Sequence, residues 1–129
     1  MSRERDLAQL LAAMQPQRRP GEFVFVLAAP EDFADLRPQA MVREAEGVTF
    51  VLDRHQADAH GLSYDFIAAW VTLTVHSALD AVGLTAAVAA RLADIGISCN
   101  VIAGLFHDHL LVPVHRADDA LEVLCRSSP

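Results

Sequence analysis

The chain has 129 residues, 53% of them hydrophobic and only 6% aromatic, and carries a formal net charge of -7. That length suits one compact domain or two very small ones sharing a core, and the apolar fraction excludes a disordered chain. The acidic balance argues against nucleic acid or an anionic membrane as the main partner.

Taken in chain order, Asp6 to Met14 is predicted to be a short helix. Leu7, Leu10, Leu11 and Met14 recur at i, i+3, i+4 and i+7, and Pro16 and Pro20 end it. Glu22 to Ala28, "EFVFVLA", is rich in Phe and Val and reads as a strand. Pro30 to Pro38 is a polar connection with room for one helical turn. Met41 to Glu46 and Val48 to Asp53 flank Gly47 as a hairpin. "RHQADAHGL" is a short helix capped by Gly61.

Phe66 to Val75, "FIAAWVTLTV", is a continuous apolar run that suits a central strand, with Trp70 packed inside it. A loop, Ser77 to Gly83, leads into a helix over Leu84 to Ile95, with Leu84, Val88, Leu92 and Ile95 on one face and Gly96 as its end. Ser98 to Ala103 is a strand, and Gly104 to Asp108 is a turn. His109 to His115 is another strand, made an edge or bulged one by Pro113. Arg116 to Arg126 is a final helix, with Ala117, Ala120, Leu121 and Leu124 facing inward.

The second half therefore runs β-α-β-β-α. With a last strand taken from elsewhere, this is the ferredoxin-like β-α-β-β-α-β pattern. The first half holds the same hairpin-then-helix order with its first helix missing or shrunken. The expectation is an α+β fold of two tandem ferredoxin-like units, the first (residues 1–62) degenerate and the second spanning residues 63–129. The sheets are antiparallel, with helices on one face.

Cys99 and Cys125 lie far apart in apolar patterns, and no CxxC occurs, which reads as two buried free thiols in a reducing cytoplasm. "MSRERDLAQLLAAMQPQRRP" lacks the apolar stretch and cleavage site of a signal peptide, and no apolar run approaches the ~20 residues of a membrane helix. The six glycines are scattered, with no phosphate-binding loop. Ser77, a histidine and Asp80 could be drawn as a triad, but there is no G-x-S-x-G elbow. His107 and His109 would share one face of a strand. Zinc needs three or four convergent ligands, and a polar turn with solvated histidines suits the pattern better than a metal.

The loop before the second-half helix has two readings. Ser77 and Asp80 cap the turn and the helix, and Asn100 bonds to backbone at a strand edge. Alternatively, the helix amides hold a ligand carboxylate, Asp80 pairs with a ligand ammonium, and Asn100 donates and accepts nearby.

"WVTLTVHSALDAVGLTAAVAARLADIGISCNVIAGLFHDHLLVPVHRADDALEVL", and with it "EFVFVLA" and "EAEGVTFVLDRHQADAHGL", resemble the ACT domain. The whole is similar to small bacterial proteins built of two tandem ACT-like units. The resemblance implies a regulatory fold, without catalysis or a cofactor, that binds a small molecule, usually an amino acid, at an interface between ACT units. It favours the ligand reading of the loop and implies a site at Ser77, Leu79, Asp80, Val82, Gly83, Leu84, Asn100, Val101 and Ile102. Gly83 and Leu84 would offer backbone N–H, Asp80 would take the ammonium, and Val82, Val101 and Ile102 would form an apolar wall. It also implies a homodimer and a regulated partner protein. The rival is a ligand-free dimerisation module.

Overall fold

Asp6 caps the first helix, α1 (Leu7–Ala13), its carboxylate accepting from the Gln9 N–H at 3.1 Å. The computed structural model describes residues 6–75 and 78–126. Strand β1 (Pro16–Ala28) starts well before the expected Glu22. Pro16 ends the helix and also opens the strand, where its missing N–H is tolerated. A 3-10 turn (Pro30–Asp32) leads to β2 (Ala40–Glu44), β3 (Gly47–Asp53) and α2 (Arg54–Ala59). Then come β4 (Ile67–Leu73), α3 (Leu84–Asp94), β5 (Asn100–Ala103), β6 (Asp108–Pro113), a second 3-10 turn (Val114–Arg116) and α4 (Ala117–Cys125). The fold is α+β with an antiparallel sheet, as the pattern predicts. The chain forms two compact units, and the division falls inside β1, after Pro20, and inside β4, after Ala68.

One unit comprises the chain up to Pro20 and from Ala69 onward. Its strand order is β1-β4-β6-β5. The last strand of the ferredoxin-like pattern is thus supplied by Pro16–Pro20, from the other end of the chain. Ala69, Val71 and Leu73 of β4 and Leu110 and Val112 of β6 face a single core. Leu10 and Leu11 of α1, Leu84, Val88 and Leu92 of α3, and Ala117, Ala120 and Leu124 of α4 close the same core. All three helices therefore lie on one face of the sheet.

Three expectations change here. Ile95 is 39% exposed, because α3 stops at Asp94; Ile97, beyond Gly96, is buried in its place. Cys125 is exposed rather than buried, at the last position of α4, while Cys99 is half-buried and burial raises its thiol pKa. Both thiols are free. Strand β6 is interior, between β4 and β5. Pro113 is tolerated because it is the last residue of β6, beyond the final Asn100–Leu111 pair with β5.

The other unit is Gly21–Ala68. Strand β3 pairs with β1 from Phe23–Asp53 to Ala28–Val48, and with β2 from Ala40–Val51 to Glu44–Gly47, closing a two-residue hairpin loop. Val24, Val26, Ala28, Phe50 and Leu52 face Leu36 and Ala57 in a smaller core. A helix expected of the ferredoxin pattern is here shrunk to the Pro30–Asp32 turn, with Leu36 filling the core behind it. Arg54 ties this unit together, donating to Glu22 (2.7 Å) and Tyr64 (2.9 Å), while the Tyr64 hydroxyl donates to Asp58 (2.7 Å). Among the described residues no helix is long and apolar enough to cross a membrane.

Candidate functional site

α3 begins differently from the helices that carry side-chain caps. Asp6 and Asp53 cap α1 and α2 with their carboxylates, whereas α3 starts at Gly83, which has no side chain to offer. The first intrahelical bond runs from Ala87 N–H to the Gly83 carbonyl at 2.8 Å. The N–H groups of Leu84 and Thr85 therefore precede the helix's own hydrogen-bond ladder and carry the positive end of its dipole.

Gly83 is needed for its backbone. Its φ is +102°, and an added Cβ would lie 3.1 Å from Leu7 Cδ2. Gly83→Ala is expected to destabilise the protein by more than about 1 kcal/mol, measured by urea unfolding, through backbone strain and pressure on α1.

The sequence-predicted residues do not gather at one spot. Ser77 lies outside the described residues. Ala78, Leu79 and Ala81 of the loop, Leu84 and Thr85 of α3, Ala103 at the end of β5 and Asp108 at the start of β6 line a cleft of about 130 Å³. Of the predicted set the cleft takes Leu79, which is 63% exposed, and Leu84, which is buried. Asp80 and Val82 are exposed on the same loop, Val82 to 83%.

The three β5 residues divide by strand alternation. Val101 is registered with Leu110, and Ala103 with Asp108, so this pair of rows faces the helices. Asn100 is registered with Leu111 and Ile102 with His109, so both share the face away from the helices.

Asp108 is the functional candidate that residue-type reasoning assigns to a turn. It is only 7% exposed, a buried charged side chain in the cleft wall. A signal for it is present in the sequence: Asp108, Leu110 and Val112 follow the same i, i+2, i+4 phase. A carboxylate held near helix N-terminal amides provides an acceptor and donors in one small space. That combination can hold a group with adjacent positive and negative charges. Among the described residues no three His, Cys, Asp or Glu side chains converge as a metal requires.

On the opposite face, Trp70 is 3% exposed and donates its indole N–H to His109 Nδ1 at 3.2 Å. The Arg19 guanidinium stacks over the indole at 4.2 Å.

An ACT domain family model matches residues 2–69, and a second ACT domain model matches residues 66–126. No curated protein matches the sequence. Among solved structures, a Vibrio cholerae protein of unknown function, a "possible transport protein", is 44% identical. It superposes with a TM-score of 0.86 over 95% of this chain and 96% of that one. A protein from Agrobacterium tumefaciens is 17% identical, with a TM-score of 0.68 and 89% of each chain covered. The ligand-free regulatory subunit of aspartate kinase from Thermus thermophilus is 10% identical, with a TM-score of 0.66 over 91% of this chain and 97% of that one. At these last two identities the likeness is one of fold.

Proposed function

The chain belongs to the ACT domain family, and from that membership we propose that it is a cytoplasmic regulatory protein, without catalysis of its own, that binds an amino acid in the cleft between the α3 N-terminus and the start of β6. The observation that carries this reading is the buried Asp108 carboxylate in the same cleft as the first residues of α3. Asp108 takes the ligand ammonium, and the Leu84 and Thr85 amides take its carboxylate. Leu79 and Leu84 form the apolar wall, with Asp80, Val82 and Gly83 at the rim and Val101 on the same side of the sheet. The cleft, of about 130 Å³, has room for a small molecule. Asn100 and Ile102 lie on the far face of β5, outside this cleft.

Calorimetric melting in the presence of each of the twenty amino acids at millimolar concentration tests this. One amino acid, or one chemical class, raises the melting temperature, because a ligand that binds only the native state adds RT ln(1 + [L]/Kd). A flat panel overturns the proposal.

A second reading is a homodimer that uses this end of the sheet without a ligand. It is favoured by the outer position of β5 and by the exposed Val101, Leu105 and Phe106 beside it. Sedimentation at rising protein concentration, with no added ligand, would reveal a monomer–dimer transition in that case. The ligand-binding arrangement would give a regulated partner protein a surface that changes with occupancy.

A further inference from the structure

His109 lies on the helix-free face of β6, outside the cleft. Trp70 Nε1 can only donate, so its 3.2 Å bond fixes His109 Nδ1 as an unprotonated acceptor. The Thr72 hydroxyl, 3.0 Å from the same nitrogen, must then donate to it as well. The proton of the neutral ring sits on Nε2, on the side of Gly104. A Cβ built at Gly104 would lie 3.2 Å from His109 Nε2 and 2.9 Å from the His107 carbonyl. The Gly104 N–H donates to that carbonyl at 2.8 Å. The imidazole is therefore held between two β4 side chains and the backbone of the β5–β6 turn.

We propose that His109 is a proton-operated latch for this turn: a proton taken from solvent at Nδ1 breaks the bond from Trp70 and forces the Thr72 hydroxyl to turn from donor to acceptor, and the loosened turn carries Ala103 and Asp108 away from the cleft. The effect on the cleft rests on the cleft being the ligand site; the latch itself does not.

The surroundings favour the neutral ring. Burial, then the positive charges of Arg19 on β1 and of His107 in the turn, lower the pKa of His109, and Asp108 opposes them. The β4 side chains bonded to the ring, Trp70 and Thr72, and its β5 neighbour Ile102 carry no charge. With a folded value below the unfolded one, the stability held in these contacts is complete above the ordinary histidine range. It is lost as pH falls through the folded value.

Trp70 is the only tryptophan, so its emission reports on its hydrogen-bond partner. An imidazolium quenches an adjacent indole more strongly than a neutral imidazole does. Emission and Gly104 amide exchange are followed from about pH 7.5 downward, with circular dichroism to confirm that the fold persists. The latch predicts a single-proton fall in emission and a rise of about tenfold in Gly104 exchange, corrected for intrinsic rate, before unfolding.

His109→Asn, which keeps an acceptor near the Nδ1 position but does not titrate, gives neither change, whereas His107→Asn retains both. The latch is overturned if His109→Asn titrates like the parent, or if emission changes only with global unfolding. An equimolar mixture of the twenty amino acids separates the cleft from the latch. A melting shift that shrinks on the acid side of the transition supports their coupling. No shift at either pH defeats the cleft reading alone, and an equal shift at both defeats the coupling.

Discussion

Leu92→Ala lowers the unfolding free energy by about 2–5 kcal/mol. Leu92 is fully buried on α3, one turn from Val88 and two from Leu84, and joins β4, β6 and α4 side chains in the larger core. Truncation loses the transfer energy of three carbons and leaves a cavity that rigid neighbours fill only in part. Small domains are stable by about 5–15 kcal/mol, so this substitution removes a large share. Urea unfolding should show a lower midpoint with an unchanged slope. Val82→Ala removes an apolar side chain that is 83% exposed and should change stability by no more than about 0.5 kcal/mol. Equal losses in the two variants would contradict the core described here.

Asp108→Asn is expected to weaken amino-acid binding by about 10- to 100-fold, which corresponds to the 1.5–3 kcal/mol typical of a hydrogen bond to a charged group. The substitution preserves shape and removes the charge that faces the ammonium. At a ligand concentration 100 times the parent's Kd the parent gains about 2.7 kcal/mol, and the variant keeps about 1.4 kcal/mol after a tenfold loss of affinity and about 0.4 kcal/mol after a hundredfold loss. Asp80→Asn, at the exposed rim, has a smaller effect because water screens the charge there. Titration calorimetry on the three proteins measures the ratio. An unchanged affinity in Asp108→Asn would remove the carboxylate from the site.

Helical spacing in the sequence is enough to place the inward face of α3: Leu84, Val88 and Leu92 are all buried. The hairpin around Gly47 is equally legible, because a glycine between two β-rich runs leaves few other structures. Ile95 and Cys125 depart from their pattern at helix ends, where spacing cannot tell which residue is the last in the helix. The source of the strand beside β4 is hidden for another reason. Prolines at positions 16 and 20 mark the end of a helix, and nothing local says that the same residues extend a strand.

The site is less legible than the fold. The side chains of Asn100 to Ile102 alternate between the two faces of β5, so only that of Val101 lies on the side of the cleft beside α3. The same rule applied to Asp108, Leu110 and Val112 places the acid inward. A charge in a histidine-flanked turn is nonetheless easily taken as solvated when composition is weighed before phase.

The most direct test is an amide chemical-shift map of the ¹⁵N-labelled protein, titrated with the amino acid that the melting panel selects. Saturable shifts are expected at Ala81, Leu84, Thr85, Ala103 and Asp108, the residues around the cleft. Shifts confined to residues 21–68, or none at saturating ligand, would contradict binding in this cleft.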